Sequence, residues 1–303
     1  MDHAIIDLGS NSIRLSVYRC QDKDINPIFS QKEVAGLAGY ITNNELSGDG
    51  IALACKTLNH LKEIALKFVE PSHIALFATA SLRNIANQEE AKNAIVDGTA
   101  LQLHILQGEE EAALGFVGMS RFMNRESGML IDIGGASTEL VLFRDFQPIV
   151  CKSLPIGCLN LYTRYIRHFS ADSEERKLIK KAIQTQLDGI DWPQNTQCPI
   201  MVGVGGTVRA MYKLSCDLFP IPPEQSFVEA DCVKEILRRI KQSESELYHT
   251  IGKLIPERAL TIFPGLMILR QAIKRFGCER IFVSKFGVRE GYLLDRVLKG
   301  NAR

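Results

Sequence analysis

Apolar and polar positions alternate along this chain in two periods, one near two residues and one near 3.6. Strand-like runs cover residues 4–7 and 13–18, on either side of a small-residue turn, LGSNS. Ile51, Cys55, Leu58, Leu61, Ala65 and Phe68 then fall on one face at helical spacing, predicting a helix over 51–68. Residues 73–79 and 103–106 read as short buried strands, with a helix over 88–96 between them and another over 109–119. A second strand, turn, strand unit spans 129–133 and 138–143. Helices follow near 159–168 and 174–187, then a strand at 201–204 and helices near 207–215 and 231–241. A long apolar helix over 258–276, a strand over 280–284 and a terminal helix from Arg289 complete the pattern. Strands and helices mixed in this order predict an α/β protein.

The pattern repeats itself once. IDLGSNSIRLSVYR, from Ile6, returns as IDIGGASTELVLFR, from Ile131. Ile6/Ile131, Asp7/Asp132, Gly9/Gly134, Ser12/Ser137, Leu15/Leu140 and Arg19/Arg144 coincide. Turn chemistry alone explains shared Gly and Ser. It does not explain an aspartate closing an apolar strand at one register in both copies. Duplication accounts for both, and implies two similar domains facing each other across a cleft, each offering a turn and a carboxylate.

Composition narrows the class. The 303 residues are long for one core and comfortable for two domains. An apolar share of 46% and a charged share of 23% exclude disordered and fibrous classes. A net charge of +1 argues against wholesale adhesion to nucleic acid or an anionic membrane. None of the eight cysteines forms a C-x-x-C pair, which suits buried thiols in a reducing compartment better than disulfides or zinc. The N-terminus has no basic segment of a signal peptide, and no apolar run approaches the roughly 20 residues of a membrane span. The expectation is a soluble cytoplasmic protein. The six histidines show no ligand spacing.

Candidate chemistry centres on the turns. In Gly9-Ser10-Asn11-Ser12 and Gly134-Gly135-Ala136-Ser137-Thr138, small side chains let backbone N–H groups and hydroxyls converge on an anion. Asp7 and Asp132, ahead of the turns, can hold a hydrated Mg²⁺, a hard cation that prefers carboxylate and phosphate oxygens. Gly205-Gly206-Thr207, between a strand and a helix, is an anion site or only a tight turn, with even weight. The acids of Gly108-Glu109-Glu110-Glu111 suit a first helical turn, and Glu111 would serve as a base for water if it faces the cleft. Arg83, after a buried strand, suits bidentate phosphate binding, as it suits capping.

Together IIDLGSNSIRL, TASLR, GEEEA, LIDIGGASTELV, SLPIG, VGVGGT, FPGLMIL and VSKFGVREG resemble the Ppx/GppA family of exopolyphosphatases and guanosine pentaphosphate phosphohydrolases, in the sugar kinase/Hsp70/actin superfamily. The resemblance runs from Ile5 to Leu294. It implies an α/β fold of two ribonuclease-H-like (actin-like ATPase) domains with an interdomain cleft. Residues 1–117 would form the first domain, the terminal helix 289–303 packing back on it, and residues 118–288 the second. It implies Mg²⁺-dependent release of a terminal phosphate from inorganic polyphosphate, or from guanosine pentaphosphate to give the tetraphosphate. Nucleic acid and membrane are not implied as partners; a homodimer is admitted.

The resemblance also assigns residues. Asp7, Gly9, Ser10, Asn11 and Ser12 match the first phosphate motif, and Gly134, Gly135, Ser137 and Thr138 the second. Glu111 matches the base, Asp132 and Glu139 the acids that orient water or metal, and Arg83 a phosphate-binding arginine. Gly205, Gly206 and Thr207 match the third turn, and Arg14 and Arg258 are candidates for a nucleotide. Three features depart from the family pattern: Ala136 in place of glycine, Lys285 in place of aspartate, and a neutral stretch over 34–39. Ala136 is harmless if its φ is negative. A kinase or a non-catalytic alarmone sensor on the same scaffold are the rival readings.

Overall fold

The computed structural model describes residues 1–21, 24–193, 196–242 and 244–299. Of the predicted terminal helix 289–303, residues 300–303 lie outside the described residues. The chain divides into unit 1, residues 1–111 and 292–303, and unit 2, residues 112–291. The division falls inside a helix, at Glu111/Ala112, where a boundary after residue 117 was expected.

Unit 1 is built on strands β1 (Asp2–Leu8), β2 (Ile13–Gln21), β3 (Asp24–Glu33), β6 (Ile74–Ala78) and β7 (Leu103–Ile105), in the order β3-β2-β1-β6-β7. The small hairpin β4 (Ile41–Thr42) and β5 (Glu45–Leu46) stands apart. β1 pairs antiparallel with β2 and parallel with β6, and β6 parallel with β7. Helices α1 (Gly48–Ala65), α2 (Ala80–Arg83) and α3 (Gln88–Thr99) connect them, and α1 and α3 bury Leu58, Leu61 and Ile95 against Ile6, Leu15 and Leu76. Ser47 caps α1, accepting from the Gly50 N–H, so the helix begins before the residue 51 that periodicity indicates. The chain returns at Tyr292, whose ring lies 4.8 Å from that of Phe77, and ends in a helical stretch, Leu293–Leu298.

Helix α4 (Gly108–Ser120) carries the boundary between the units. Unit 2 has strands β8 (Gly128–Ile133), β9 (Thr138–Arg144), β10 (Gln147–Leu154), β11 (Ile200–Val204), β12 (Phe227–Glu229) and β13 (Arg280–Val283), in the order β10-β9-β8-β11-β13-β12. Three antiparallel strands followed by parallel neighbours repeat the arrangement of unit 1, with β12 added at the edge. Ala112, Phe116 and Met119 of α4 cover one face of this sheet. The larger core on the other side gathers α5 (Cys158–Tyr165), α6 (Ser173–Asp188), α7 (Gly205–Leu218), α8 (Asp231–Gln242) and α10 (Ile262–Phe276). Helix α9 (Glu244–Leu254) and the short α11 (Val288–Tyr292) complete the set.

Helix α10 starts at Ile262, not at the predicted residue 258. A single tight turn, Pro256–Arg258, precedes it, and Pro264 sits in its first turn, where a missing N–H costs nothing. Among the described residues no helix is long and apolar enough to cross a membrane.

Candidate active site

In each unit the candidate residues follow the carboxyl ends of parallel strands, the end where open α/β sheets bind ligands. In unit 1, β1 leads into the turn Gly9–Ser12, β6 into α2 with Arg83, and β7 into α4 with Glu111. The Gly9 N–H donates to the Ser12 carbonyl at 3.2 Å, and a Cβ on Gly9 would meet that oxygen at 2.9 Å, which explains the glycine. The turn is held from outside: Gly36 N–H donates to Asn11 O and Ala38 N–H to Ser10 O, both at 2.9 Å. Ser81 Oγ ties α2 to the end of β1 through Leu8 O at 2.5 Å.

The three acids of α4 part company as their spacing predicts. Glu109 is exposed, Glu110 pairs with Arg296 at 2.6 Å, and Glu111 turns to Arg83. Arg83 Nη1 donates to Glu111 Oε2 at 2.7 Å and to Leu106 O at 3.1 Å, the side chains being 9% and 12% exposed. Asp7 faces Arg14 across the β1–β2 ladder.

The second turn closes like the first, Gly134 N–H donating to Ser137 O at 2.9 Å. The SLPIG segment packs beneath it. A Cβ on Gly157 would lie 2.4 Å from the Gly135 carbonyl carbon, and the N–H groups of Cys158 and Leu159 donate to Gly134 O and Gly135 O. Ala136 does not have a positive φ, so it fits without strain. Asp132 lies opposite Glu139 in the hairpin, and buried Glu139 accepts from Ser153 Oγ at 2.7 Å.

Two of the expected phosphate residues have their hydroxyl protons engaged within the protein. Thr138 and Thr207 are buried, and their hydroxyls donate inward, to Ile156 O at 2.7 Å and Ile133 O at 2.8 Å. These bonds brace the turns.

A sequence profile of the Ppx/GppA phosphatase family matches residues 16–300. The chain belongs to the Ppx/GppA phosphatase family. A guanosine-5'-triphosphate,3'-diphosphate pyrophosphatase of Photobacterium profundum is 26% identical over 306 residues, covering 98% of this chain and 59% of the relative. One of Pseudoalteromonas translucida is 28% identical over 299 residues, covering 96% and 58%. The chain therefore spans less than two thirds of these relatives. Among solved structures, the Aquifex aeolicus member of the Ppx/GppA family superposes with a TM-score of 0.81 at 25% identity, covering 99% of both chains. An exopolyphosphatase from Cytophaga hutchinsonii gives 0.84 at 20% identity over 99% and 98%, a likeness of fold.

This member of the Ppx/GppA family surrounds Asp132 with charges that its spacing did not announce. Burial pushes the Asp132 carboxyl up; Arg209, Arg289 and Arg258 pull it back down, and Glu290 pushes it up again. Burial and Arg289 lower the Arg209 pKa. Asp132 abuts Gly205, whose φ is +77°, and a Cβ there would fall 2.1 Å from Asp132 Oδ1. A Cβ on Gly206 would fall 1.9 Å from Arg258 Nη2, which places that nucleotide candidate over the third turn. Arg209 lies one helical turn beyond Gly205, and this i, i+4 relation was the available signal.

Among the described residues no three His, Cys, Asp or Glu side chains converge into a protein cage for a metal. Paired acids such as Asp132 and Glu139 suit Mg²⁺, which takes one or two carboxylates and completes its shell with phosphate and water. The donor set fits that ion.

Proposed function

We propose that this chain hydrolyses terminal phosphoanhydride bonds, releasing orthophosphate from the end of inorganic polyphosphate. The Arg83–Glu111 pair carries the reading: a nearly buried carboxylate, held by an anchored guanidinium, on the same sheet end as the Gly9–Ser12 turn. Glu111 accepts a proton from water as the water oxygen bonds to the terminal phosphorus. The bond from that phosphorus to its bridging oxygen breaks, and the shortened chain leaves with the bridging oxygen. Within unit 1, backbone N–H groups after Gly9 are the proposed phosphate donors, and within unit 2 those after Gly134, where they would offset the charge that grows on phosphate oxygens. Asp132 and Glu139, paired across one hairpin of unit 2, would hold Mg²⁺, which when bound neutralises phosphate oxygens. Glu111→Gln is expected to lower phosphate release by about 10² to 10⁴ per folded molecule. Near-normal release from this variant rejects the assignment.

A second substrate, guanosine pentaphosphate cut to the tetraphosphate, is favoured by the lip beside the first turn. Residues 34–44 carry no charged side chain, yet their backbone clamps Ser10 and Asn11, and Val34 and Tyr40 are 67% and 38% exposed. An inorganic polyanion gains nothing from such a lip, whereas a nucleoside can rest on it. The names of the two curated relatives support the same choice. Arg14 and Arg258 would then grip the base or its phosphates. Turnover of both substrates at equal phosphate concentration decides, and a faster rate on polyphosphate removes this second reading.

A further inference from the structure

Residues 122–125, which follow α4, and residues 283–286, which follow β13, border a cavity of about 410 Å³ in unit 2. Its wall includes Phe122, Met123 and Phe286, with Arg125 and Lys285 as the charged members, and contains no aspartate or glutamate. The volume falls in the range of small-molecule sites, and the lining sets Phe122, Met123, Val283 and Phe286 beside the polar Asn124, Ser226 and Ser284 and the two cations.

The charges are the telling feature. Arg125 is half-buried, its guanidinium parked 3.9 Å from the centre of the Phe282 ring. Neither Arg125 nor Lys285 has a carboxylate within ion-pairing distance among the described residues. By contrast Arg238 and Arg280 of the same unit pair with Glu235 and Glu229. Two like charges at one cavity with no counterion leave a positive potential that an anion relieves. Nor are they committed to the site described above, since the cations acting on Asp132 are Arg209, Arg289 and Arg258.

The apolar wall adds shape. The Phe122 and Phe286 rings stack with centroids 3.6 Å apart and an interplanar angle of 22°, while Phe122 stays 38% exposed. An exposed ring whose partner already covers one side offers the other to a planar group. The loop bearing Lys285 and Phe286 is fixed, because Ser284 Oγ donates to Phe286 O at 2.8 Å and accepts from the Phe286 N–H at 3.1 Å. We propose that this cavity binds a small anion bearing a planar ring, its charge held by Arg125 and Lys285 and its ring laid on the Phe122–Phe286 stack. A nucleoside monophosphate and an aromatic carboxylate share that chemistry.

Titrating the full-length chain at low salt with guanosine monophosphate, benzoate and inorganic phosphate tests the site, with the Met123 methyl resonance as a local reporter. At least one ring-bearing anion is expected to shift that resonance saturably and to bind about tenfold or more tighter than phosphate. The comparison between nucleotide and benzoate identifies which source is preferred. Lys285→Glu, at an exposed position, is expected to weaken that binding at least tenfold, and Arg125→Met to weaken it as well. Asp132→Asn should leave the Met123 response in place. No saturable shift up to millimolar ligand, or a shift that Lys285→Glu leaves unchanged, overturns the proposal.

Discussion

Arg83 and Glu111 illustrate how one contact serves both stability and chemistry. Both side chains are nearly buried, so each charge depends on the other for what water would have supplied. Arg83→Ala strands the Glu111 carboxylate and is expected to cost about 3–5 kcal/mol by urea unfolding. The double variant Arg83→Met with Glu111→Gln should recover most of that loss, because nothing charged is left unpaired. His3 is the opposite case, a buried group that must stay neutral. Burial, then His73 and the N-terminal amine, hold its imidazole below the ordinary 6.5, against a weaker pull from Asp2, and its Nδ1 has no hydrogen-bond partner. A group whose folded pKa is depressed is protonated more readily in the unfolded chain. Its stability contribution is therefore complete above pH 6.5 and lost as pH falls through the lower folded value. His3→Phe should flatten thermal stability across that acidic window, and an unchanged pH slope would discount His3 as its source.

Close packing of elements sets the next level. Helices α4 and α11 cross within unit 2 with almost no side chain between them: a Cβ on Gly118 would meet Gly287 O at 2.0 Å, and one on Gly291 would meet Leu114 O at 1.8 Å. Neither Gly118 nor Gly291 has a positive φ, so the requirement is for space and not for conformation. Gly291→Ala is expected to destabilise by about 1–3 kcal/mol, whereas Gly252→Ala, in α9 with nothing within 4 Å, should be neutral or mildly stabilising. Chemical denaturation of the two variants side by side checks the contrast. Elements with a strong period were legible from the residues alone, and α1 deviates only at its ends. The edge strands β3, β10 and β12 were not. Pro27 in β3 reads as a strand breaker but is tolerated where one side of the ladder is open, and β10 shows solvent-exposed Gln147, Pro148 and Ile149 instead of alternation. Within the candidate site, turns and acids could be read because small residues and carboxylates are locally conspicuous. Glu290 could not, since only folding brings its helix to Asp132.

At the level of the whole molecule, one topology occurs twice and its two turns close through the same backbone bond, yet the copies have diverged in charge. Asp7 stands opposite Arg14, whereas Asp132 stands opposite Glu139. A cation on the residue opposite the first aspartate opposes a dication there, which biases that turn toward phosphate alone. The second hairpin offers two carboxylates, the number Mg²⁺ accepts alongside phosphate oxygens. Equivalent substitutions should therefore have unequal effects. Asp132→Asn is expected to raise the Mg²⁺ concentration for half-maximal phosphate release by about tenfold or more, and Asp7→Asn by less than about threefold. Arg14→Ala should lessen the inequality, because it removes the cation that sets the first copy apart. Magnesium titrations of the three variants, at fixed polyphosphate and again at fixed guanosine pentaphosphate, measure the difference directly. Equal shifts for Asp7→Asn and Asp132→Asn would mean that the exchange of glutamate for arginine across the hairpin has no bearing on the ion.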